Sequence, residues 1–356
     1  MSEFPNNIPV LIITGFLGSG KTTLLSALLK QEAMKNTAVI INEFGAVGLD
    51  HNFIETTDEN IVELQNGCIC CTIQEDLKST LLDLIKKMER NIIPYFNRVV
   101  IETTGLADPV PIIHTLMTSL DLHRAYSIDG IITLVDAVNG ENTYNNHEEA
   151  VKQTALADKI ILSKVDLSKK SKINLIKNRI KKINPKANIV ETNRENLPLT
   201  ELLGLNDYDP SNKSWDAREW LAIEKYNLTN HKHTHHENEP THHDHKHNHN
   251  INRHGDNIES FSLVNNQQIS ITTFNFFIEL LSSQMGSKLL RLKGMLNIKG
   301  KDGPAIIHGV QHIFHPIEWL EEWPDDDRST RLVFITHDIK KSYIEEFFKI
   351  IGENEV

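Results

Sequence analysis

Residues 15–22 read Gly-Phe-Leu-Gly-Ser-Gly-Lys-Thr and follow the apolar run Val10-Leu11-Ile12-Ile13-Thr14. The spacing G-x-x-x-x-G-K-[ST] at the junction of a buried strand and a helix confines the chain to folds built around a phosphate-cradling loop. Gly15, Gly18 and Gly20 let the backbone curl until its N–H groups converge on an anion. Lys21 adds a point charge for β- and γ-phosphates, and the Thr22 hydroxyl is placed to ligate Mg2+. The helix predicted from Thr22 to Lys35 turns its positive end toward the same anion. Ser19 and Thr23 complete the expected nucleotide-binding set on this loop.

Apolar runs recur at Ala38–Asn42, Ile61–Leu64, Arg98–Glu102, Ile131–Val135 and Lys159–Ser163, with a weaker one at Asn188–Glu191. Helical patterns fall between them at Gln74–Arg90, Val110–Leu120, Glu148–Ala157 and Lys170–Ile183. Doubly buried strands alternating with helices predict an α/β fold, a P-loop NTPase with a mostly parallel sheet and helices on both faces. Ligands of such sheets gather beyond the carboxyl ends of the strands. The motifs read below all follow a strand.

The alternation fades after Leu203, which predicts a first domain over residues 1–205. Residues 206–256 read as a linker. Its 231–254 stretch carries ten of the chain's 18 histidines and almost no apolar residue, so it cannot offset its ordering entropy and is expected to be disordered. Residues 257–356 predict a smaller C-terminal α+β domain. Its strands are expected at Ile258–Val264, Gln268–Thr272, Leu289–Ile298, Ala305–Phe314 and Arg331–Ile335, and its helices near Thr273–Gln284 and Lys340–Ile351.

The chain has 37 basic and 48 acidic residues, a formal net charge of −11, and no basic stripe. That argues against nucleic acid as a partner. No apolar stretch approaches the roughly 20 residues that span a bilayer, which argues against a membrane partner. The first residues lack the regions of a signal peptide, so a cytoplasmic location is expected, where structural disulfides are rare. All three cysteines, Cys68, Cys70 and Cys71, fall within one four-residue stretch. Metal binding or redox chemistry explains such a cluster better than a disulfide framework.

Several segments supply what a GTP-hydrolysing P-loop protein requires. Glu102-Thr103-Thr104-Gly105 follows a strand; Glu102 can hold the Mg2+ shell or the attacking water, and the Gly105 amide can sense the γ-phosphate. Ser163-Lys164-Val165-Asp166 is similar to the guanine-reading Asn-Lys-x-Asp, with Asp166 accepting from the guanine edge and Lys164 lying along the base. Ser163 offers one hydroxyl where an asparagine offers an amide, so base choice rests mainly on Asp166. Residues 42–51 have the make-up of a switch loop able to reorganise around Mg2+ and γ-phosphate, with Asp50 as its Mg2+ ligand. The cysteines precede a helix, where thiol pKa values fall and thiolates suited to Zn2+ form. Two or three thiolates completed by Glu43, a histidine or water make a plausible set, with a redox dithiol as the rival.

Together, Gly15–Leu25 (GFLGSGKTTLL), Asn42–Gly45 (NEFG), Gly67–Thr72 (GCICCT), Glu102–Pro109 (ETTGLADP) and Ser163–Asp166 (SKVD) closely resemble the CobW-like GTPases, zinc or cobalt metallochaperones. The resemblance covers nearly the whole chain, including the histidine-rich insertion and smaller C-terminal domain. It implies an Mg2+-dependent GTPase (GTP and water to GDP and phosphate), stimulated by a transition metal and delivering it to an unidentified client metalloprotein. Zn2+ is the expected metal and Co2+ the alternative. Ala46 stands where the family often has Glu, which removes a candidate ligand, and Ser163 departs from the base-reading pattern. In the histidine segment, His233, His235, His236, His243, His245 and His247 are expected to form weak metal sites. The competing reading is a metal store or sensor that relies on this segment, with negligible GTP turnover.

Overall fold

The computed structural model describes residues 7–44, 61–66, 70–192, 202, 203, 205, 221 and 257–353. Seven strands form the first sheet: β1 (Ile8–Gly15), β2 (Thr37–Phe44), β3 (Ile61–Asn66), β4 (Arg98–Thr103), β5 (Tyr126–Asp136), β6 (Lys159–Ser163) and β7 (Asn188–Glu191). Their order is β3-β2-β4-β1-β5-β6-β7, and each neighbouring pair is parallel. Seven helices accompany them: α1 (Lys21–Leu29), α2 (Cys70–Glu89), α3 (Val110–Thr118), α4 (Leu120–Ala125), α5 (Gly140–Asn146), α6 (Glu148–Leu156) and α7 (Lys170–Ile183).

The central strand shows why its sequence is continuously apolar. Side chains alternate between the faces of a strand. Val10 and Ile12 pack with Leu77 and Leu81 of α2 and Ile112 and Leu116 of α3. Leu11 and Ile13 pack on the opposite face with Leu24, Leu25 and Leu28 of α1. Each such buried aliphatic side chain contributes about 1.5–3 kcal/mol, so both faces anchor the loop that leaves β1.

The C-terminal α+β domain contains β8 (Ile258–Asn265), α8 (Ile271–Leu280), β9 (Leu289–Leu296), β10 (Ala305–Val310), β11 (Ile313–Phe314), β12 (Glu318–Trp319), β13 (Thr330–His337) and α9 (Lys341–Glu353). Its antiparallel sheet runs β11-β10-β9-β13-β8, with β12 on β10. Alternation on β13 divides the sheet between two cores. Val333 and Ile335 join Val151 and Ala155 of α6 and Ile176 and Ile180 of α7. Leu332 and Phe334 join Phe274 and Phe277 of α8 and Ile344 of α9. The second sheet is thereby packed directly onto helices of the first domain.

Four local expectations change. The helix after the P-loop stops at Leu29, and a 3-10 turn over Glu32–Met34 puts Met34 into the core. Gln268–Thr272 is not a strand: Ile269 makes an isolated bridge to Ile298, and α8 begins at Ile271. There the Ser270 hydroxyl accepts the Thr273 N–H, an N-cap that overrides the β-branched residues around it. Ala305–Phe314 is a hairpin broken at Gln311, whose φ is 55°. The helix at Val110 ends at Thr118 because Ser119 is extended, and α4 follows. Among the described residues, no helix is long and apolar enough to cross a membrane.

Candidate nucleotide and metal site

The loop from β1 to α1 is formed around its glycines. Gly15 has a φ of 141°, and a Cβ there would lie 2.4 Å from the Leu134 carbonyl oxygen, so β1 and β5 approach too closely for a side chain. The Ser19 N–H donates to Phe16 O at 3.2 Å, closing the turn. Lys21 is buried and folds back over the loop, its Nζ donating to Gly15 O at 2.9 Å and Phe16 O at 3.3 Å. These bonds tie the ammonium to the start of the loop. Thr22 and the exposed Thr23 lie in the first turn of α1.

The neighbouring strand β4 supplies the acid. Glu102 is buried at its carboxyl end, and Oε1 accepts the Thr22 hydroxyl at 2.7 Å. Thr22 and Glu102, the sequence-predicted Mg2+ ligand and its shell, are therefore brought together. Gly105 lies against the P-loop, where an added Cβ would sit 2.6 Å from the Leu17 Cα and N atoms. Gln153 of α6 donates from Nε2 to Gly105 O at 3.3 Å and Ala107 O at 3.0 Å, bracing the loop from behind.

The Ser163–Asp166 segment, expected from the sequence to read the base, is joined to the same loop. Lys164 has a φ of 57°, and its Nζ donates to Gly18 O at 2.7 Å and to Asp136 Oδ2 at 2.8 Å. Burial pushes the Asp136 carboxyl up. The Lys164 ammonium and the N–H groups of Val138 and Asn139 outweigh that effect and hold it below the ordinary carboxylate range. Ser163 is buried, and its hydroxyl donates to Ser19 O at 2.7 Å, so its role here is to tie β6 to the P-loop. Asp166 is exposed in the 3-10 turn Val165–Leu167, with its carboxylate accessible at the sheet edge.

Sequence reading had not singled out Asp136 or Gln153. Asp136 is the last residue of an apolar strand and Glu102 the last but one of another, and a carboxylate at the carboxyl end of such a strand is a usable signal. Gln153 is a polar residue on an amphipathic helix, and its burial follows from tertiary packing alone.

Three of the metal-binding candidates, Glu43, Cys70 and Cys71, fall within the described residues. The backbone of Glu43 near the end of β2 is in register with Gln65 of β3, and Phe44 with Asn66. Cys70 and Cys71 do not precede the helix as expected but are its first residues, α2 starting at Cys70 rather than Gln74. Asp50, Cys68 and the histidines His233, His235, His236, His243, His245 and His247 lie outside the described residues.

Residues 9–191 match the family model described as CobW/HypB/UreG, nucleotide-binding domain, and residues 258–350 match that of the cobalamin synthesis protein cobW C-terminal domain. The chain belongs to the CobW/HypB/UreG family. The zinc chaperone YjiA of Escherichia coli is 32% identical to this CobW-family chain over 345 residues, covering 96% of the chain and 98% of the relative. The zinc chaperone CobW of Pseudomonas aeruginosa is 32% identical over 372 residues, covering 95% and 89%. The zinc-regulated GTPase metalloprotein activator 1 of Schizosaccharomyces pombe is 35% identical over 231 residues, covering 63% and 54%. The crystal structure of Zn(II)-bound YjiA GTPase from E. coli superposes with a TM-score of 0.69 at 28% identity, covering 97% of this chain and 99% of that one. The P-loop, the Glu102 segment and the Ser163–Asp166 turn thus occur here in a CobW-type framework.

Proposed function

We propose that this chain is a GTP-binding and GTP-hydrolysing metallochaperone that binds Zn2+, with Co2+ as the alternative cargo, at its C-x-C-C segment and delivers it to a client metalloprotein. The reading divides the chain at residues 1–205, 206–256 and 257–356, and sets it in the cytoplasm, where GTP is supplied. It is carried by one arrangement. The P-loop, Glu102 and the β2–β3 pair open on the same carboxyl edge of the sheet, with Glu43 in register two residues short of where residues 67–71 begin.

In this reading Lys21 and the amides of Gly18, Ser19 and Gly20 hold the β- and γ-phosphates, and Gly15 shapes the loop. Thr22 would hold Mg2+, with Glu102 in its shell and Asp50 from the 42–51 loop. Bound there, the ion neutralises charge on the phosphates. The Thr22–Glu102 hydrogen bond supports this fit, because a hydroxyl and a carboxylate already converge where the ion sits in P-loop proteins. Glu102 orients the water that attacks the γ-phosphate, and the Gly105 N–H follows the departing phosphoryl group. GDP and phosphate are released. Asp166 accepts from guanine and Lys164 lines the base. Cys68, Cys70 and Cys71 as thiolates, with Glu43, form the cargo site.

The relatives' descriptions as zinc chaperones and as a zinc-regulated GTPase metalloprotein activator support zinc and GTP as ligands. The deciding measurement is GTP turnover with and without one equivalent of Zn2+, in the natural chain and in a variant with Cys68, Cys70 and Cys71 all changed to serine. Turnover that rises with Zn2+ only in the natural chain is the expected result. Co2+ loading should give the visible bands of thiolate coordination, and X-ray absorption a Zn–S distance of about 2.3 Å. An identical metal response in the triple variant would remove the cysteine site and favour the histidine segment as a store.

A further inference from the structure

The loop that follows Glu102 is held from two sides. On one side Gly105 rests on the backbone of Leu17. On the other, the fully buried Gln153 donates its amide to Gly105 O and Ala107 O. The backbone carbonyl of Gln153 accepts the Thr133 hydroxyl of β5 at 2.7 Å. The start of α6 also touches the P-loop, where the Phe16 ring lies 4.4 Å from the ring of His147.

One helical turn beyond Gln153, about 4.5 Å along the axis, α6 ends in a second grip. Arg291 of β9, in the C-terminal domain, donates from Nη1 to Leu156 O at 2.7 Å and Ala157 O at 3.0 Å. Its other nitrogen pairs with Asp158, and Lys293 Nζ lies 3.3 Å from the same carboxylate oxygen. The second oxygen of Asp158 accepts the Ile131 N–H of β5 at 3.0 Å. A short helix therefore has the γ-phosphate-facing loop on one turn and the C-terminal domain on the next.

We propose that Gln153 is a positioning residue that passes the state of the Glu102–Asp108 loop along the last turn of α6 to Arg291, and so to the C-terminal domain. This rests on the GTPase reading above. When the Gly105 N–H turns toward a γ-phosphate, the Gly105 and Ala107 carbonyls must shift. Gln153 either follows them, moving α6, or is left as a buried donor without its acceptors. The first response is the less costly, because burying an unpaired amide is unfavourable. Movement of α6 then reaches β9 through the carbonyls that Arg291 holds. The C-terminal domain, on this account, reports whether GTP or GDP is bound.

The test is amide hydrogen exchange over β9 and β10 in the full-length protein, with GDP and with a non-hydrolysable GTP analogue, after direct titration of both nucleotides. In the natural chain the two nucleotides should give exchange rates differing by about threefold or more across these strands. Gln153→Met keeps the side-chain length and removes the donor. It should abolish that difference and lower kcat about tenfold while leaving KM nearly unchanged. Arg291→Met cuts the link at its far end, outside the nucleotide-binding domain, and should abolish the difference with turnover retained. Should Gln153→Met not fold, Arg291→Met decides alone. Persistence of the exchange difference in either folded variant overturns the proposal, as does its absence in a natural chain that binds the analogue. Failure of the natural chain to bind the analogue would instead sink the GTPase reading itself.

Discussion

The Thr22 hydroxyl donates to Glu102 Oε1 across 2.7 Å, so the residue that closes the P-loop and the carboxylate near the end of β4 are already joined. Glu102→Gln preserves size and burial but removes the charge. GTP turnover should fall about 100-fold, with nucleotide affinity changed far less. Steady-state kinetics beside a fluorescent-analogue titration checks this, and near-normal turnover would take Glu102 out of the reaction.

Lys21→Ala removes the ammonium and its bonds to Gly15 O and Phe16 O. A charge-assisted contact of this kind is worth about 2–3 kcal/mol, or roughly 30- to 150-fold in affinity. Calorimetric titration with GTP should show a loss of at least that size. Unchanged affinity would contradict the phosphate role of the loop.

Asp166 is exposed while Lys164 is pinned between Gly18 and Asp136, so base choice should rest on the aspartate. Asp166→Asn is expected to weaken GTP and strengthen xanthosine triphosphate, because an amide can donate to the additional carbonyl of xanthine. Competition binding with GTP, xanthosine triphosphate and ATP reads the switch. If ATP competes equally in the natural chain, guanine recognition is wrong.

Acid should loosen the junction between the two domains. His308 is held well below the ordinary histidine value of 6.5 by burial and then by Lys293, His315, Arg291 and Lys186. His315 is pushed down to about 4 by burial, His123 and Lys293. In the folded chain both rings stay neutral where the unfolded chain takes up protons. Their contribution is therefore complete above about pH 6.5 and is lost as pH falls from there toward about 4. Asp158, held far below its ordinary range by Arg291 and Lys293 despite burial, stays charged through that window. Thermal melts from pH 7.5 to 4.5 should show the decline, and His315→Gln should flatten it.

Local patterns carried most of the fold into the sequence. Val10–Thr14 and Arg98–Glu102 are apolar because both faces are covered, and the glycine spacing after Thr14 encodes the loop without help from distant residues. The contacts that complete the site are of another kind. Ser163 reaches Ser19 across 144 positions of chain, and Lys164 reaches Asp136 across 28, so no local period announces them. Helix α5 has the polar sequence Gly-Glu-Asn-Thr-Tyr-Asn-Asn and was not expected; Asp136 begins its turn by accepting the Val138 and Asn139 N–H groups. At Gln268–Thr272 the β-branched residues suggested a strand, and one serine capping a helix reversed the outcome.

Among the described residues, strand β3 stands at the margin of the first sheet with β2 as its one neighbour, whereas β1 is flanked by β4 and β5. The three cysteines follow directly from that outer strand. Drawing β3 aside would unzip a single ladder of six residue pairs and leave two intact strands, β2 and β4, between the breach and the P-loop. If the cysteines hold the cargo as proposed, a segment that continues from this outer strand could be offered to another protein while the nucleotide stays seated at the centre. Loading and unloading need not wait for the enzyme's framework to open.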